Sequence, residues 1–336
     1  MQSPFDDWGG RKVAVTGATG FVGHHLVVQL RQLGATVIAL VRSTSATDRL
    51  RALGCECRTT SLDDPAGLTC ALQGAELVFH VAAAVDFGHD FAKLHAINVG
   101  GTCNVIEAAR RARVRRLIHT SSIVAVGCSD RPEPLDENTD WNLARYKVPY
   151  FLTKRQAEEA ALAANGSDLE VVVGNPGCVV GPDDYSRSEF GTLCRRFWRG
   201  QVPFYFAGGT NLVDVRDVAD GLIRLAQFGR PGRRYLLTGH NQTFGEFMRA
   251  LAEAAKRRYL CLPLPGWSAT WLSRVVNLVP TRPGTRPILS PETARLMGRF
   301  FFFDASRARN ELGWQARPLA QTLQDAYAFW MPSKAA

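Results

Sequence analysis

Short apolar runs alternate with helical patterns through the first half of the chain. An apolar run at Lys12–Thr16 precedes a helical pattern at 21–33, and a second run follows at Thr36–Val41. Further runs of this kind continue the series at 55–60, 77–81, 116–120 and 169–173. Apolar strands that alternate with helices are typical of a parallel sheet covered on both faces, with ligands at the carboxyl ends of its strands. The pattern predicts an α/β fold built on a doubly wound parallel sheet.

The rhythm changes after Pro176, where segments rich in glycine, proline and aromatic residues follow. The segments at 211–218 and 234–238 look like strands, and we expect both to return to the main sheet. The predicted organisation is a larger domain over residues 11–175, with returning segments near 211–240. Residues 176–210 and 241–332 are predicted to form a smaller C-terminal α/β lobe that binds the substrate.

A glycine-rich turn, TGATGFVG at 16–23, joins the first predicted strand to the first helix. Gly17 permits a tight turn, Gly20 lets the backbone approach a pyrophosphate, and Gly23 lets the helix pack closely on the strand. The N-terminus of that helix presents free N–H groups to phosphates. Because the motif lies between a strand and a helix, it predicts that the larger domain binds a dinucleotide.

The end of the second strand bears on which dinucleotide is bound. NAD sites usually carry an acid here, whereas an arginine favours the 2′-phosphate of NADP. This strand ends in Leu-Val-Arg-Ser, with Arg42 in place of an acid. Arg42 can hold a phosphate with its planar fork, or it can be an ordinary solvated loop residue. We expect NADP as the cofactor, with NAD as the alternative.

A tyrosine and a lysine four positions apart form a candidate acid–base pair. Tyr150 and Lys154 share one face of a predicted helix that starts at Pro149. A free tyrosine has a pKa of about 10, and a nearby ammonium lowers that pKa. The phenol could then exchange a proton with a substrate oxygen near neutral pH. Chance spacing on an amphipathic helix would give the same pattern.

Two further polar residues are candidates for the same site. Ser122 follows the fifth strand at the carboxyl edge of the sheet, where a hydroxyl can bond a substrate oxygen. Asn98 lies in the long helical segment near 91–113. It is either a plain polar residue of that helix or a group that holds water near Lys154.

Composition narrows the class of protein. The 336 residues are 46% hydrophobic and 21% charged, which is ordinary for a globular enzyme. The net charge is +9, but the densest basic run lies at a predicted helix end and no nucleic-acid motif accompanies it. The eight cysteines form no C-x-x-C pair or zinc-like cluster, so we expect no metal. With no signal-like N-terminus and no membrane-length apolar run, we expect a cytoplasmic protein that does not bind nucleic acid.

Taken together, the motifs resemble those of the extended short-chain dehydrogenases/reductases over nearly the whole chain. The matching segments are TGATGFVG, HVAA at 80–83, NVGGT at 98–102, NPGCVVGP at 175–182, VDVRDVA at 213–219 and FDAS at 303–306. The set is specific, although no single element is. The likeness is strongest to the branch of dihydroflavonol reductases and 3β-hydroxysteroid dehydrogenases, near the bacterial hopanoid-associated sugar epimerases.

The resemblance implies a Rossmann fold and a role for each candidate residue. Tyr150 would give or take the proton of the substrate oxygen, Lys154 would lower the tyrosine pKa and bond the nicotinamide ribose, and Ser122 would orient the oxygen. Contacts to the cofactor are implied for Gly17, Thr19, Gly20, Phe21, Val22, Arg42, Ser61, Leu62, Ala82, Ala83, Tyr150, Lys154, Pro176 and Val179. Ser61 stands where the family usually has an adenine-binding aspartate, so this contact is weaker or passes to Asp63.

The resemblance also implies an enzyme that moves a hydride between nicotinamide and a secondary alcohol or ketone, and a homodimer. One alternative is a nucleotide-sugar epimerase or dehydratase that retains NAD, and another is a non-catalytic dinucleotide-binding scaffold. Arginines that could hold a sugar diphosphate are Arg187, Arg195, Arg196, Arg282 and Arg286.

The lobe carries an apolar stripe that bears on the substrate. Its members have roughly helical spacing: Trp267, Trp271, Leu272, Val275, Val276 and Val279. The stripe could line a pocket for a lipid-, steroid- or flavonoid-like substrate, or touch a membrane surface. We favour packing within the lobe, because apolar stripes at helical spacing usually face a core.

Overall fold

The computed structural model describes residues 5, 7–85, 90–276 and 294–332. The strands of its main sheet are β1 (Lys12–Thr16), β2 (Thr36–Val41), β3 (Glu56–Thr59), β4 (Leu77–His80), β5 (Arg116–Thr120), β6 (Glu170–Pro176) and β10 (Arg234–Leu237). Their spatial order is β10-β6-β5-β4-β1-β2-β3, and every neighbouring pair is parallel. The order reverses direction at β1, which is where a doubly wound sheet opens a crevice for ligands.

Helices cover both faces of this sheet. They are α1 (Phe21–Gln32), α2 (Asp48–Ala52), α3 (Pro65–Leu72), α4 (Phe91–His95), α5 (Gly101–Arg111), α6 (Pro149–Ala163) and α8 (Val215–Phe228). A π-helical turn at Ala96–Gly100 joins α4 to α5, so the two form the continuous helix expected there. Val13 and Val15 pack on the face of α1 and α8, whereas Ala14 packs on the face of α3 and α5. Because the side chains of a strand alternate between the two faces of a sheet, both faces of the main sheet carry apolar residues. The predicted fold class is therefore confirmed.

A second sheet lies in the C-terminal part of the chain. Its strands are β7 (Cys178–Val180), β9 (Gly209–Asp214), β11 (His240–Thr243) and β13 (Phe300–Phe301). Strand β9 is central and pairs with the other three. The remaining elements are α7 (Glu189–Trp198), β8 (Phe204–Phe206), α9 (Phe244–Ala254), β12 (Leu262–Leu264), α10 (Gly266–Val276), α11 (Ser306–Leu312) and α12 (Leu319–Trp330). Among the described residues, β8 and β12 form a separate parallel pair.

One of the two strands expected to return to the main sheet does so. Strand β10 pairs in parallel with β6, as predicted for 234–238. The expectation for 211–218 is wrong, because this segment ends β9 of the second sheet and then starts α8. The Asp214 side chain accepts a hydrogen bond from the Arg216 amide and caps the helix, which stops the strand. Every residue of β9 is buried, although half of the strand is polar, at Thr210, Asn211 and Asp214.

The expected core packing of the tryptophan stripe is also wrong for its two largest members. Trp267 is 80% exposed and Trp271 is 70% exposed. They lie four positions apart on α10 and share one face, while Ala269 and Ser273 are fully buried on the other. Leu272 packs partly against the lobe. The side chains of Val275 and Val276, and the residues Val279, Arg282 and Arg286, lie outside the described part of the chain.

Candidate active site

The glycine-rich turn between β1 and α1 is shaped by close backbone packing. Gly17 has φ of +70°, and a Cβ atom there would lie 2.7 Å from the Ala82 nitrogen. A Cβ atom at Gly23 would lie 2.1 Å from the Gly17 oxygen. The N-cap of α1 is Gly20, which has no capping side chain, and the first turn holds no acid. The N–H groups at this end are therefore available to an anion, which fits a dinucleotide pyrophosphate.

This packing predicts that Gly17→Ala weakens dinucleotide binding and destabilises the fold. Gly10 provides a matched control, because its φ is +71° and a Cβ atom placed there would meet nothing within 4 Å among the described residues beyond its chain neighbours. We expect Gly10→Ala to cost about 1 kcal/mol of unfolding free energy from backbone strain alone. Gly17→Ala should cost about 3 kcal/mol, because the turn must also move away from Ala82.

Denaturant unfolding and dinucleotide titration would measure both effects. We expect the Kd of Gly17→Ala to rise about 10-fold or more, because the phosphate cradle is displaced, and that of Gly10→Ala to stay unchanged. Equal binding by the two variants would contradict a phosphate-binding role for the turn.

The candidate residues for the adenosine end lie at the carboxyl ends of β2 and β3. Arg42 is exposed just beyond β2, and its backbone N–H donates to the Ser45 hydroxyl at 3.2 Å. Ser61 is exposed beyond β3, and its hydrogen bond with Asp63 lowers the pKa of that carboxyl. Leu62 is partly buried and contacts Gly101. Because β1, β2 and β3 are adjacent and parallel, these residues share the sheet edge with the glycine turn.

A buried histidine holds the loop after β4 against β1. The Thr102 hydroxyl donates to the Asn98 carbonyl at 2.6 Å, so it accepts from His80 Nε2 at 3.1 Å. His80 Nδ1 then accepts from the Thr16 hydroxyl at 2.8 Å, and that hydroxyl accepts from the amides of Val81 and Ala82. Burial lowers the pKa of His80 to about 3, so the ring is neutral at physiological pH.

The roles of Thr16 and Thr102 in this network were not anticipated from the sequence. The available signal was that both lie in the segments TGATGFVG and NVGGT that carry the resemblance. The Thr16 hydroxyl holds the amides of Val81 and Ala82, and Ala82 is a candidate cofactor contact.

Tyr150 lies in a largely apolar environment at the start of α6. Its side chain is 9% exposed and packs in a cluster with Phe151, Leu296 and partly buried Phe301. Burial raises the pKa of Tyr150 to about 12, and a hydrogen bond with the Ser122 side chain acts in the opposite direction. The net shift is opposite to the lowering that was expected from Lys154. The structure does bring Tyr150 and Ser122 together, as the sequence suggested.

Lys154 is buried one helical turn after Tyr150. Its Nζ donates to the Thr120 carbonyl at the end of β5, at 2.9 Å. Burial lowers the pKa of Lys154 to about 8, while the Glu158 carboxylate acts to raise it. Glu158 is fully buried, accepts from Asn175, and pairs with Arg234 at 3.0 Å. Glu158 was not among the residues predicted from the sequence, although its spacing of four from Lys154 puts both on one helix face.

Asn98 is buried, and its side chain hydrogen bonds within the protein. Its amide nitrogen donates to the Ala84 carbonyl at 3.0 Å and to the Thr153 hydroxyl at 3.1 Å. Its oxygen accepts from the Ala84 amide at 2.7 Å. Both amide hydrogens are therefore used within the protein, and the side chain ties the loop after β4 to α6 rather than donating to water near Lys154. Thr153 in turn donates to the Tyr150 carbonyl at 3.0 Å.

The other candidate contacts lie around the glycine turn and where the chain leaves the main sheet. Thr19 is exposed in the turn, whereas Phe21 is buried and Val22 is partly buried at the start of α1. Pro176 ends β6, and Val179 in β7 is partly buried against the core of the main sheet. The structure thus brings the candidates to one edge of the sheet.

The fold and the glycine turn are those of a Rossmann-type dinucleotide-binding protein. The chain belongs to the NAD dependent epimerase/dehydratase family, whose model matches residues 13–237. The family expected from the sequence is therefore confirmed.

Several known proteins resemble the chain over most of its length. Sterol demethylase protein B of Methylococcus capsulatus is 31% identical, covering 94% of this chain and 97% of that protein. A dihydroflavonol 4-reductase of Hordeum vulgare is 29% identical, covering 72% and 74%. The crystal structure of a nucleoside-diphosphate-sugar epimerase from Pseudomonas aeruginosa has a TM-score of 0.79 and 29% identity, covering 95% and 97%. The relatives thus include the dihydroflavonol-reductase branch named above.

Proposed function

We propose that the protein is an NADP-dependent reductase that converts a hydrophobic ketone to a secondary alcohol, or carries out the reverse reaction. The main-sheet domain would bind the dinucleotide, and the C-terminal lobe would bind the substrate. The observation that carries the proposal is the hydrogen bond between buried Tyr150 and partly buried Ser122, one helical turn from buried Lys154. A protein that only binds dinucleotide needs no such arrangement.

The protonation states favour Tyr150 as a general acid. A tyrosine with a pKa of about 12 keeps its proton at neutral pH and can donate it to a carbonyl oxygen. Lys154, with a pKa of about 8, carries a positive charge at neutral pH that stabilises the phenolate left behind. Ser122 would hold the same substrate oxygen by a hydrogen bond. A bound nicotinamide would supply or accept the hydride on the substrate carbon.

Asn98 would act as a positioning residue in this scheme. Its bonds to Ala84 and Thr153 connect the loop that carries Ala82 and Ala83 with the helix that carries Tyr150. A fixed distance between these two segments would hold the cofactor side and the acid side of the site in register.

The surroundings of Tyr150 support a hydrophobic substrate. Leu296, Phe301 and Trp141 belong to or pack against the cluster that contains the tyrosine. Cys178 also lies close enough to Tyr150 to influence its pKa. An apolar site with few polar groups suits a lipid-, steroid- or flavonoid-like molecule better than a sugar nucleotide. The sterol and dihydroflavonol names of two relatives agree with this class.

The cofactor preference predicts the behaviour of Arg42→Ala. Loss of a charge-assisted contact to the 2′-phosphate should cost about 2 kcal/mol, or roughly 30-fold in the Kd for NADPH. The Kd for NADH should change little. Arg51→Ala is a matched control, since Arg51 is exposed nearby on α2 and bonds only the Thr47 hydroxyl at 3.1 Å among its described side-chain contacts. An unchanged preference for NADPH in Arg42→Ala would contradict the assignment.

A nucleotide-sugar epimerase or dehydratase is the second candidate, supported by the similarity to the Pseudomonas aeruginosa epimerase. Such an enzyme returns its hydride and retains NAD. The two functions are separated by denaturing freshly purified protein and identifying the released dinucleotide by chromatography. Stoichiometric NAD would favour the epimerase. An empty protein that oxidises NADPH with hydrophobic ketones would support the reductase.

A further inference from the structure

Exposed apolar side chains are concentrated in one short segment of the lobe. Leu260 is 82% exposed, Leu262 is 55% exposed, and Trp267 and Trp271 are 80% and 70% exposed. Single apolar residues on a surface are ordinary, but four large ones within a dozen positions mark a contact surface. We refer to the following set as the docking face: Lys256, Arg257, Arg258, Leu260, Leu262, Trp267 and Trp271.

The tryptophans are held outward by the way α10 packs. Ala269 is fully buried in a cluster with Phe206, and partly buried Leu272 packs against the same cluster. Trp267 and Trp271 occupy the opposite face of α10, one turn apart. The helix is therefore anchored to the lobe by small and aliphatic side chains, while its two largest apolar side chains point to solvent.

The basic residues of the docking face directly precede its apolar residues in the chain. Lys256, Arg257 and Arg258 are consecutive and exposed. They line a surface cavity of about 600 Å³ together with Arg249, and Glu253 is the acid among its described lining residues. Apolar side chains complete the lining, at Phe197, Tyr205, Met248 and Cys261. A cavity with an apolar lining and four cations against one acid suits a ligand with an anionic head and an apolar body.

We propose that the docking face binds an anionic phospholipid surface. Tryptophan side chains favour the interface between lipid headgroups and acyl chains, and basic residues beside them attract anionic headgroups. A symmetric contact with a second copy would bring six cations into one interface, which disfavours self-association through this face. No helix within the described ranges is long and apolar enough to cross a bilayer.

The docking face lies where a membrane contact would help a hydrophobic substrate to enter, an inference that rests on the proposed function. Met297 packs beside the cluster that anchors α10, and the neighbouring residue Leu296 packs with Tyr150. The segment that borders the candidate site is thus continuous with the base of the docking face. A hydrophobic substrate could then enter the lobe from the bilayer with little exposure to water.

Vesicle binding by the full chain tests the proposal without any substrate or cofactor. Co-sedimentation would compare vesicles of phosphatidylcholine alone with vesicles that also contain phosphatidylglycerol. We expect binding to the anionic vesicles to be at least about 10-fold tighter, and to weaken in high salt. The variants Trp267→Ser with Trp271→Ser, and Lys256→Gln with Arg257→Gln and Arg258→Gln, should each lose about 10-fold or more.

A surface variant elsewhere controls for a general loss of hydrophobicity. Leu33 and Phe228 are 47% and 41% exposed, so Leu33→Ser with Phe228→Ser should bind vesicles as the unmodified chain does. Thermal unfolding of each variant shows that the fold is retained. Absence of binding to anionic vesicles, or equal binding by the tryptophan variant, would overturn the proposal. A dimer that the tryptophan variant dissociates, without vesicle binding, would assign the face to a second copy instead. None of these outcomes alters the test of reductase activity.

Discussion

Replacing Tyr150 with phenylalanine should reduce kcat by about three orders of magnitude, which is the range expected when a general acid is removed. The hydroxyl lost by this change is the one that hydrogen bonds with Ser122. The ring itself stays, so the apolar cluster around Phe151 and Leu296 should remain packed. Dinucleotide affinity and the free energy of unfolding should therefore change little. Steady-state kinetics, cofactor titration and denaturant unfolding would measure the three quantities.

Tyr146 offers a matched control for this prediction. It belongs to the same cluster, is 6% exposed, and its hydroxyl lies 4.0 Å from the Cys128 sulfur. Tyr146→Phe removes a hydroxyl from a side chain of similar overall exposure that has no place in the proposed proton transfer, so kcat should fall by less than about threefold. Similar losses in the two variants would show that the effect comes from packing. Full turnover in Tyr150→Phe would exclude the tyrosine as the acid.

The second large effect is expected on stability, from Glu158→Gln. Glu158 is completely buried and pairs with Arg234, which is 13% exposed. Removing one partner of a buried ion pair leaves the other charge without compensation, at a cost of about 3 kcal/mol. The neighbouring Glu159 is 55% exposed and pairs with Arg155 on the helix surface. Glu159→Gln should cost less than about 0.5 kcal/mol, and denaturant unfolding of the two variants gives a direct comparison.

The same substitution should change the pH dependence of activity. The Glu158 carboxylate raises the pKa of Lys154, so its removal should move that pKa below about 8. Lys154 would then lose its positive charge at lower pH, and the alkaline limb of the kcat profile should shift toward neutral pH. Glu159→Gln should leave that limb in place. A profile that is unchanged in Glu158→Gln would indicate that Lys154 is not the group that titrates.

The main sheet could be predicted because its strands are buried on both faces and separated by amphipathic helices, which leaves a clear pattern. The same reasoning misassigned β9, because the short apolar pair Leu212 and Val213 indicates a strand but not the sheet that it joins. The prediction that the apolar stripe on α10 packs in a core was wrong for a related reason. Helical spacing shows that apolar residues share a face, but not whether that face meets a core. Only the packing of Ala269 and Ser273 distinguishes the two cases.

The candidate site was predictable where its residues carry local patterns. The glycine turn and the pair Tyr150 and Lys154 are each defined by residues a few positions apart, so both can be recognised in the sequence. Glu158 and its partner Arg234 are 76 positions apart, and His80 is 64 positions from Thr16. Contacts of that kind depend on how strands are ordered in space, which no local pattern encodes. The pKa of Tyr150 likewise reflects burial by distant segments rather than the lysine on its own helix.

The path of the chain between the two sheets limits how this protein can diversify. After β6 the chain leaves the main sheet to form β7 and β9, returns as β10, and leaves again for β11 and β13. The central strand β9 therefore pairs with β11 and β13, which follow β10 in the chain. A single crossover just after β6 would exchange the second sheet only together with β10, which would then have to pair with a β6 of different origin. An engineered chimera that keeps its own β10 needs one junction after β6 and one on each side of β10.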